Sequence, residues 1–218
     1  MISPSHLTAQ DAMRKIANGI AAFIVCGGIS AAPAAEAVIG GVARAQGPCA
    51  GVSEGLRESL TAGSAVRLNE TVVTGAGARL ELAFDDGTHL TVGEKAEVVL
   101  DEFVYDANAA SRLHAAITGP FRYVSGKLAA GATRQASITT SFATIGVRGT
   151  DFWGGPIGGV NGVVVFAGVV SVSTAAGTVI LTAPGQGTDV AVPGAAPGAA
   201  SLWSQDKVAT ALASVTFH

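Results

Sequence analysis

Apolar and polar residues alternate along two stretches of this chain, a long one reaching to about Thr140 and a shorter one after Phe152. A period of two marks half-buried strands, because successive side chains of an extended chain point to opposite faces. The clearest case is Arg79-Leu80-Glu81-Leu82-Ala83-Phe84, in which Leu80, Leu82 and Phe84 share an inward face and Arg79 and Glu81 the outward one. Asp86-Gly87 then supplies the pair that tolerates positive φ in a two-residue hairpin, and Thr88–Val92 returns with Leu90 and Val92 inward. In Val98–Tyr105 the apolar phase slips by one position, which predicts a bulge or corner at Asp101-Glu102. The residues from Asp106 to Ser111 read as a turn, and Leu113–Thr118 and Phe121–Ser125 as strands separated by Gly119-Pro120.

Between the two series lies Ala143-Thr144-Ile145-Gly146-Val147-Arg148-Gly149-Thr150-Asp151-Phe152, the junction of the pattern. Ile145 and Val147 carry an apolar strand face, while Gly146 and Gly149 leave room for another backbone or for a kink. Arg148 between them needs solvent or a carboxylate that accepts its planar fork. Asp151 is the nearest in sequence, with Asp85, Asp86, Asp101 and Glu102 as further candidates. The main reading is that Arg148 is at least partly buried in an internal ion pair that fixes a corner; the competing one is that it grips an anionic ligand. Downstream, Gly154–Gly159 reads as a loop, three strands follow between Val163 and Leu181, and Gly/Pro-rich punctuation leads to one helix capped by Ser204 and stapled by Trp203 and Val208. A helix of that length has to dock on the sheets.

Composition agrees with this all-β reading: 29 of 218 residues are glycine and only 13% are charged. The formal charge of −3 and the absence of any basic cluster argue against a nucleic-acid partner. Residues 1–35 have the three parts of an export signal, with Arg14 and Lys15 ahead of an apolar stretch from Ile16 to Ile29 and then Ala32-Pro33-Ala34-Ala35. Asn18, Gly19, Gly27 and Gly28 interrupt the apolar stretch, which favours cleavage over a permanent span. From Glu36 onward 11 basic and 15 acidic residues remain, a net of −4. Cys26 goes with the leader, and Cys49 is then either a small buried apolar residue or a reactive thiol.

Chemistry is sparse. His89 and His114 lack partners at zinc-site spacing, and Asp85-Asp86-Gly87 and Asp106-Ala107-Asn108 do not continue into a calcium loop. No serine or threonine sits in a nucleophile elbow, and the glycines of 154–162 open toward strands and not onto a helix that would cradle phosphate. The expectation is no catalytic, metal or cofactor site. The aromatic residues fall at strand parity and read as core, but Trp153 beside Gly154-Gly155 is a candidate contact residue, as are Asp85 and Asp86.

The run Ile138-Thr139-Thr140-Ser141-Phe142-Ala143-Thr144-Ile145-Gly146-Val147-Arg148-Gly149-Thr150 resembles the signature of the FecR domain, with Ser141 where proline is usual. The resemblance extends upstream through Leu68–Gly75, Phe84–Gly93 and Leu100–Asp106. It implies an exported β domain of the type found in the periplasmic part of ferric-citrate-type regulators, which sense an outer-membrane transporter and carry a cytoplasmic sigma-binding segment. Residues 1–15 are too few for that segment. The expected organisation is a signal peptide at 1–35, a weakly patterned lead-in at 36–62, the FecR-like domain at 63–175, a β extension and Gly/Pro-rich loop at 176–200, and a helix and tail at 201–218. The expected fold is a β-sandwich or short β-helix with one C-terminal helix. Two functions stand beside each other: a non-enzymatic binding module in the periplasm or at the cell surface that contacts an envelope protein or surface component, and a signalling component acting through a separate membrane partner. On either reading Gly146, Val147, Arg148, Gly149, Thr150 and Asp151 are mainly structural.

Overall fold

The computed structural model describes residues 36–106, 110–126 and 133–218; the expected leader at 1–35 and residues 107–109 of the turn expected at 106–111 lie outside the described residues, while Asp106 ends one strand and Ala110 and Ser111 begin the next. Glu36–His218 forms one compact unit. Its first strands are β1 (Val38–Gln46), β2 (Cys49–Ser53), β3 (Leu56–Ser59), β4 (Ala65–Arg67), β5 (Thr71–Thr74), β6 (Arg79–Phe84), β7 (His89–Val92) and β8 (Glu97–Asp106). Then come β9 (Ala110–Thr118), β10 (Phe121–Val124), β11 (Thr133–Thr140), β12 (Thr144–Ile157), β13 (Val160–Thr174), β14 (Gly177–Leu181), β15 (Gln186–Val190), β16 (Ser201–Leu202) and the helix α1 (Gln205–Ala213).

All of these strands join one sheet, whose main path runs β3-β2-β5-β8-β9-β11-β12-β10-β7-β6-β1-β4, with β13 beside β12 carrying β14 and β15. Among the described residues only β9 and β11 pair in parallel. The sheet curls so that its two halves face each other: one core takes Leu80, Leu82, Leu90 and Phe121 from one half and Val98, Leu100, Ile117 and Ile145 from the other. Across it the rings of Phe84 and Phe103 stack 5.7 Å apart, although β6 and β8 are far apart in the strand order. Where a sandwich or a short β-helix was expected, the strands form a single curled sheet closed on its own core.

Local readings hold where periodicity is strong. In β6 the side chains of Leu80, Leu82 and Phe84 are buried, and the register of β8 on β9 shifts between Leu100 and Glu102, at the expected bulge. The hairpin after β6 differs from expectation: Phe84 and Thr88 close it, with Gly87 N–H donating to the Phe84 carbonyl and Gly87 at φ 75°. It has three loop residues, a type I turn followed by a left-handed glycine. Arg79, expected outside, is buried and donates through Nη1 to the Ala78 carbonyl at 2.7 Å. Gly154–Ile157 is no loop but the end of β12; only Gly158 and Gly159, both at positive φ, make the turn into β13. Cys49 is buried, its thiol pushed up by that burial.

The C-terminal segment covers the outer side of one half of the sheet. Ser204 caps α1 by accepting from the Lys207 N–H, as its sequence suggests. Trp203, Val208, Ala211 and Val215 join Trp153, Ile157 and Val164 in a second core. Trp203 lies flat on β13 and β15, where Cβ atoms on Gly162 and Gly187 would come within 2.7 and 2.4 Å of its ring. Lys207 pins the assembly, with Nζ 4.0 Å over the Trp203 ring and bonded to Asp189 at 2.6 Å.

Candidate functional site

The junction is a corner where one hairpin passes between the two halves of the sheet. The first half of β12 pairs with β11, up to Val147 opposite Ala136, while its second half pairs with β10, from Asp151 opposite Val124 onward. β13 follows β12 along both halves, and their register shifts between Arg148 and Phe152. Gly149 stands at φ 57° and Gly168, facing it, at φ 78°. A Cβ on Gly168 would lie 2.2 Å from the Gly149 carbonyl oxygen, so the close backbone approach is at Gly168. Gly146 meets only the movable Ser171 hydroxyl, and a Cβ on Gly149 would enter open space.

Side chains then lock the corner. Thr150 exchanges two bonds with Ser125: its N–H donates to Ser125 Oγ at 3.0 Å and its carbonyl accepts from the Ser125 N–H at 2.9 Å. Asp151 takes both arms of the Arg122 fork, Nε at 2.9 Å and Nη2 at 2.7 Å, and this bond raises the guanidinium pKa further. Arg122 reaches it as the diagonal neighbour across the β10–β12 pair, where long side chains on one face meet. Thr150 Oγ1 is buried and has no hydrogen-bond partner among the described residues. Thr150→Val should therefore be neutral or stabilising by up to about 1 kcal/mol, since it removes an unpaired polar atom while keeping the branched shape. A denaturant melt showing clear destabilisation would mean that this hydroxyl has a partner in solution.

Arg148 does not do what its sequence context suggests. It is exposed, and among the described residues it makes no hydrogen bond or ion pair. The Asp151 carboxylate expected to receive it belongs to Arg122. Asp85 is exposed, whereas Asp86 is buried, accepting from the Thr88 N–H at 2.9 Å and from the hydroxyls of Thr88 and Ser111 at 3.0 and 2.8 Å. Asp86 thus ties the β6–β7 turn to β9 and is not a surface contact. Trp153, the other candidate contact, is fully buried under α1 with Nε1 donating to Ser214 Oγ at 3.0 Å. Of the residues singled out from sequence, the corner brings Gly146 to Asp151 together; Asp85, Asp86 and Trp153 serve elsewhere. Sequence reading missed Gly168 and Arg122, whose signals were a lone glycine inside a valine-rich strand and an arginine at outward parity.

On the outward face beside the corner, the Asp101 carboxylate bonds His114 Nδ1, and His114 Nε2 lies 3.3 Å from Thr139 Oγ1. The bulge at Asp101 turns that side chain toward β9. The acid stands at the bulge, outside the β8–β9 register, and the imidazole and hydroxyl stand on the paired strands β9 and β11.

Residues 70–171 match the family model described as FecR protein. No curated protein matches the chain. Two crystal structures described as a candidate anti-sigma factor from Parabacteroides distasonis are similar, each with a TM-score of 0.52, at 15% and 17% identity. The alignments cover 65% of this chain and 64% and 63% of those chains, less than two thirds of their length. At such identity the likeness is one of fold. β14 to β16 lie beyond the matched segment, as does α1, which closes the second core. The Arg148 corner lies inside the segment, residues 70–171, that matches the FecR family model.

Proposed function

We propose that this protein is an exported, non-enzymatic FecR-type interaction module of the bacterial envelope, and that it contacts an envelope protein or surface component through the exposed face around Arg148. The observation that carries this is Arg148 itself: the one charged side chain of the Gly-Val-Arg-Gly-Thr motif is exposed and, among the described residues, unpaired at a corner fixed by Gly149, Gly168 and the Thr150–Ser125 bonds. A guanidinium that the fold does not use but holds in place is suited to a partner's carboxylate or carbonyls. The Asp101-His114-Thr139 chain is read as a side-chain network that ties β8, β9 and β11 together on their outward face. A periplasmic signalling role through a separate membrane partner is the second reading, favoured by the fold shared with the candidate anti-sigma factor. No helix among the described residues is long and apolar enough to cross a membrane.

Arg148→Ala separates fold from contact. The variant should melt within about 0.5 kcal/mol of the parent, as exposed substitutions do, while losing cross-linking to its envelope partner. A melt lowered by several degrees would return Arg148 to the structural role, and undiminished cross-linking would remove it from the contact.

A further inference from the structure

Arg148 is not alone on its face. The register pairs Arg148 with Val169 on β13 and Arg112 with both Val104 on β8 and Gln135 on β11. Gln135 stands one step past the Ala136–Val147 pair, opposite Arg148. Val104, Arg112, Gln135, Arg148 and Val169 thus form one rank across five neighbouring strands. Every member is exposed, the valines at 42% and 39%. Arg112 is only loosely engaged, with Nε 3.6 Å from Glu102 on an open surface. Two arginines with a glutamine between them and an exposed valine at each end make a donor-rich rank on a chain whose net charge is −3.

Resting on the interaction-module reading, we infer that this rank receives an extended acidic segment of a partner protein, with carboxylates three residues apart. Strands are spaced about 4.8 Å apart, so Arg112 and Arg148 stand roughly 9.6 Å from each other across β11. In a polyproline-type extended segment, residues i and i+3 share a face and are roughly 9.3 Å apart. Each carboxylate then meets one guanidinium fork, the Gln135 amide lies beneath the backbone between them, and the two valines face the flanking side chains. A pleated strand fits less well, because residues i and i+3 there point to opposite faces. The fork geometry favours carboxylates over isolated carbonyls, since two parallel N–H donors match two oxygens.

The test is fluorescence anisotropy with the full exported chain and a labelled peptide of repeated Glu-Pro-Pro, against its Gln-Pro-Pro counterpart. The glutamate peptide should bind, weakening as salt rises, and the glutamine peptide should bind at least about tenfold more weakly. Arg112→Gln and Arg148→Gln should each cost about tenfold, the loss of one charge-assisted pair. Equal affinity for the two peptides, or binding indifferent to both substitutions, would overturn the inference. If the glutamate peptide fails to bind while Arg148→Ala still abolishes cross-linking to the envelope partner, the acidic-segment inference falls and the interaction module stands. If cross-linking survives Arg148→Ala, that reading falls as well.

Discussion

Gly168→Ala is expected to destabilise the domain by about 2 to 5 kcal/mol, the sum of a left-handed backbone penalty and an overpacked corner. Gly168 sits at φ 78°, and the added Cβ would stand 2.2 Å from the Gly149 carbonyl oxygen and 2.7 Å from Thr150 Cγ2. Neither neighbour can move away cheaply. Gly149 is itself at φ 57°, and Thr150 is held on both its N–H and its carbonyl by Ser125. Against a typical domain stability of about 5 to 15 kcal/mol, a loss of this size is enough to unfold a marginal variant. Gly149→Ala is the control, because a Cβ there meets nothing within 4 Å. Only the backbone penalty of about 1 to 2 kcal/mol applies. Urea melts of the parent and both variants decide the matter: Gly168→Ala must lie well below Gly149→Ala, and the reverse order would place the tight contact in the motif glycine.

That comparison shows what could be read from the chain alone. Periodicity identifies a strand and its two faces, which is why β6 and the bulge at Asp101 were legible. It does not say which outward face a distant element will cover. Trp153 lies at outward parity with Arg122 and Asp151, and only the docking of α1, dozens of residues later, turns that position into core. Gly154–Ile157 looks like a loop by composition, yet the glycines are there because Phe121 and Pro120 press against the strand at Gly154 and Gly155. Arg148 and Asp151 invited pairing by nearness in sequence, but Arg122 on the adjacent strand reaches Asp151 with both arms. Proximity across a ladder overrode proximity along the chain, and the motif's arginine was left facing solvent.

Trp153→Ala is the second large effect, about 3 to 5 kcal/mol for removing a fully buried indole, and its signature differs from that of Gly168→Ala. The ring is completely buried, sits edge-on to Trp203 at 6.2 Å, and fills the space between β12 and α1 with Ile157, Val164, Ala211 and Val215. Its Nε1 also holds Ser214 at the end of the helix. A helix of nine residues does not persist by itself, so emptying its seat should release α1 before the main core melts. The main core lies on the other face of the sheet and keeps Leu80, Phe121 and Ile145. Circular dichroism should then show an early loss of helical signal followed by the β transition at a lowered midpoint, where the parent gives one transition. Trp153→Phe, which keeps an aromatic ring in the seat and loses the Ser214 bond, should retain the single transition at a smaller cost. If Trp153→Ala melts in one step at the parental midpoint, α1 is held by Trp203 and the Lys207–Asp189 pair alone, and the second core does not depend on Trp153.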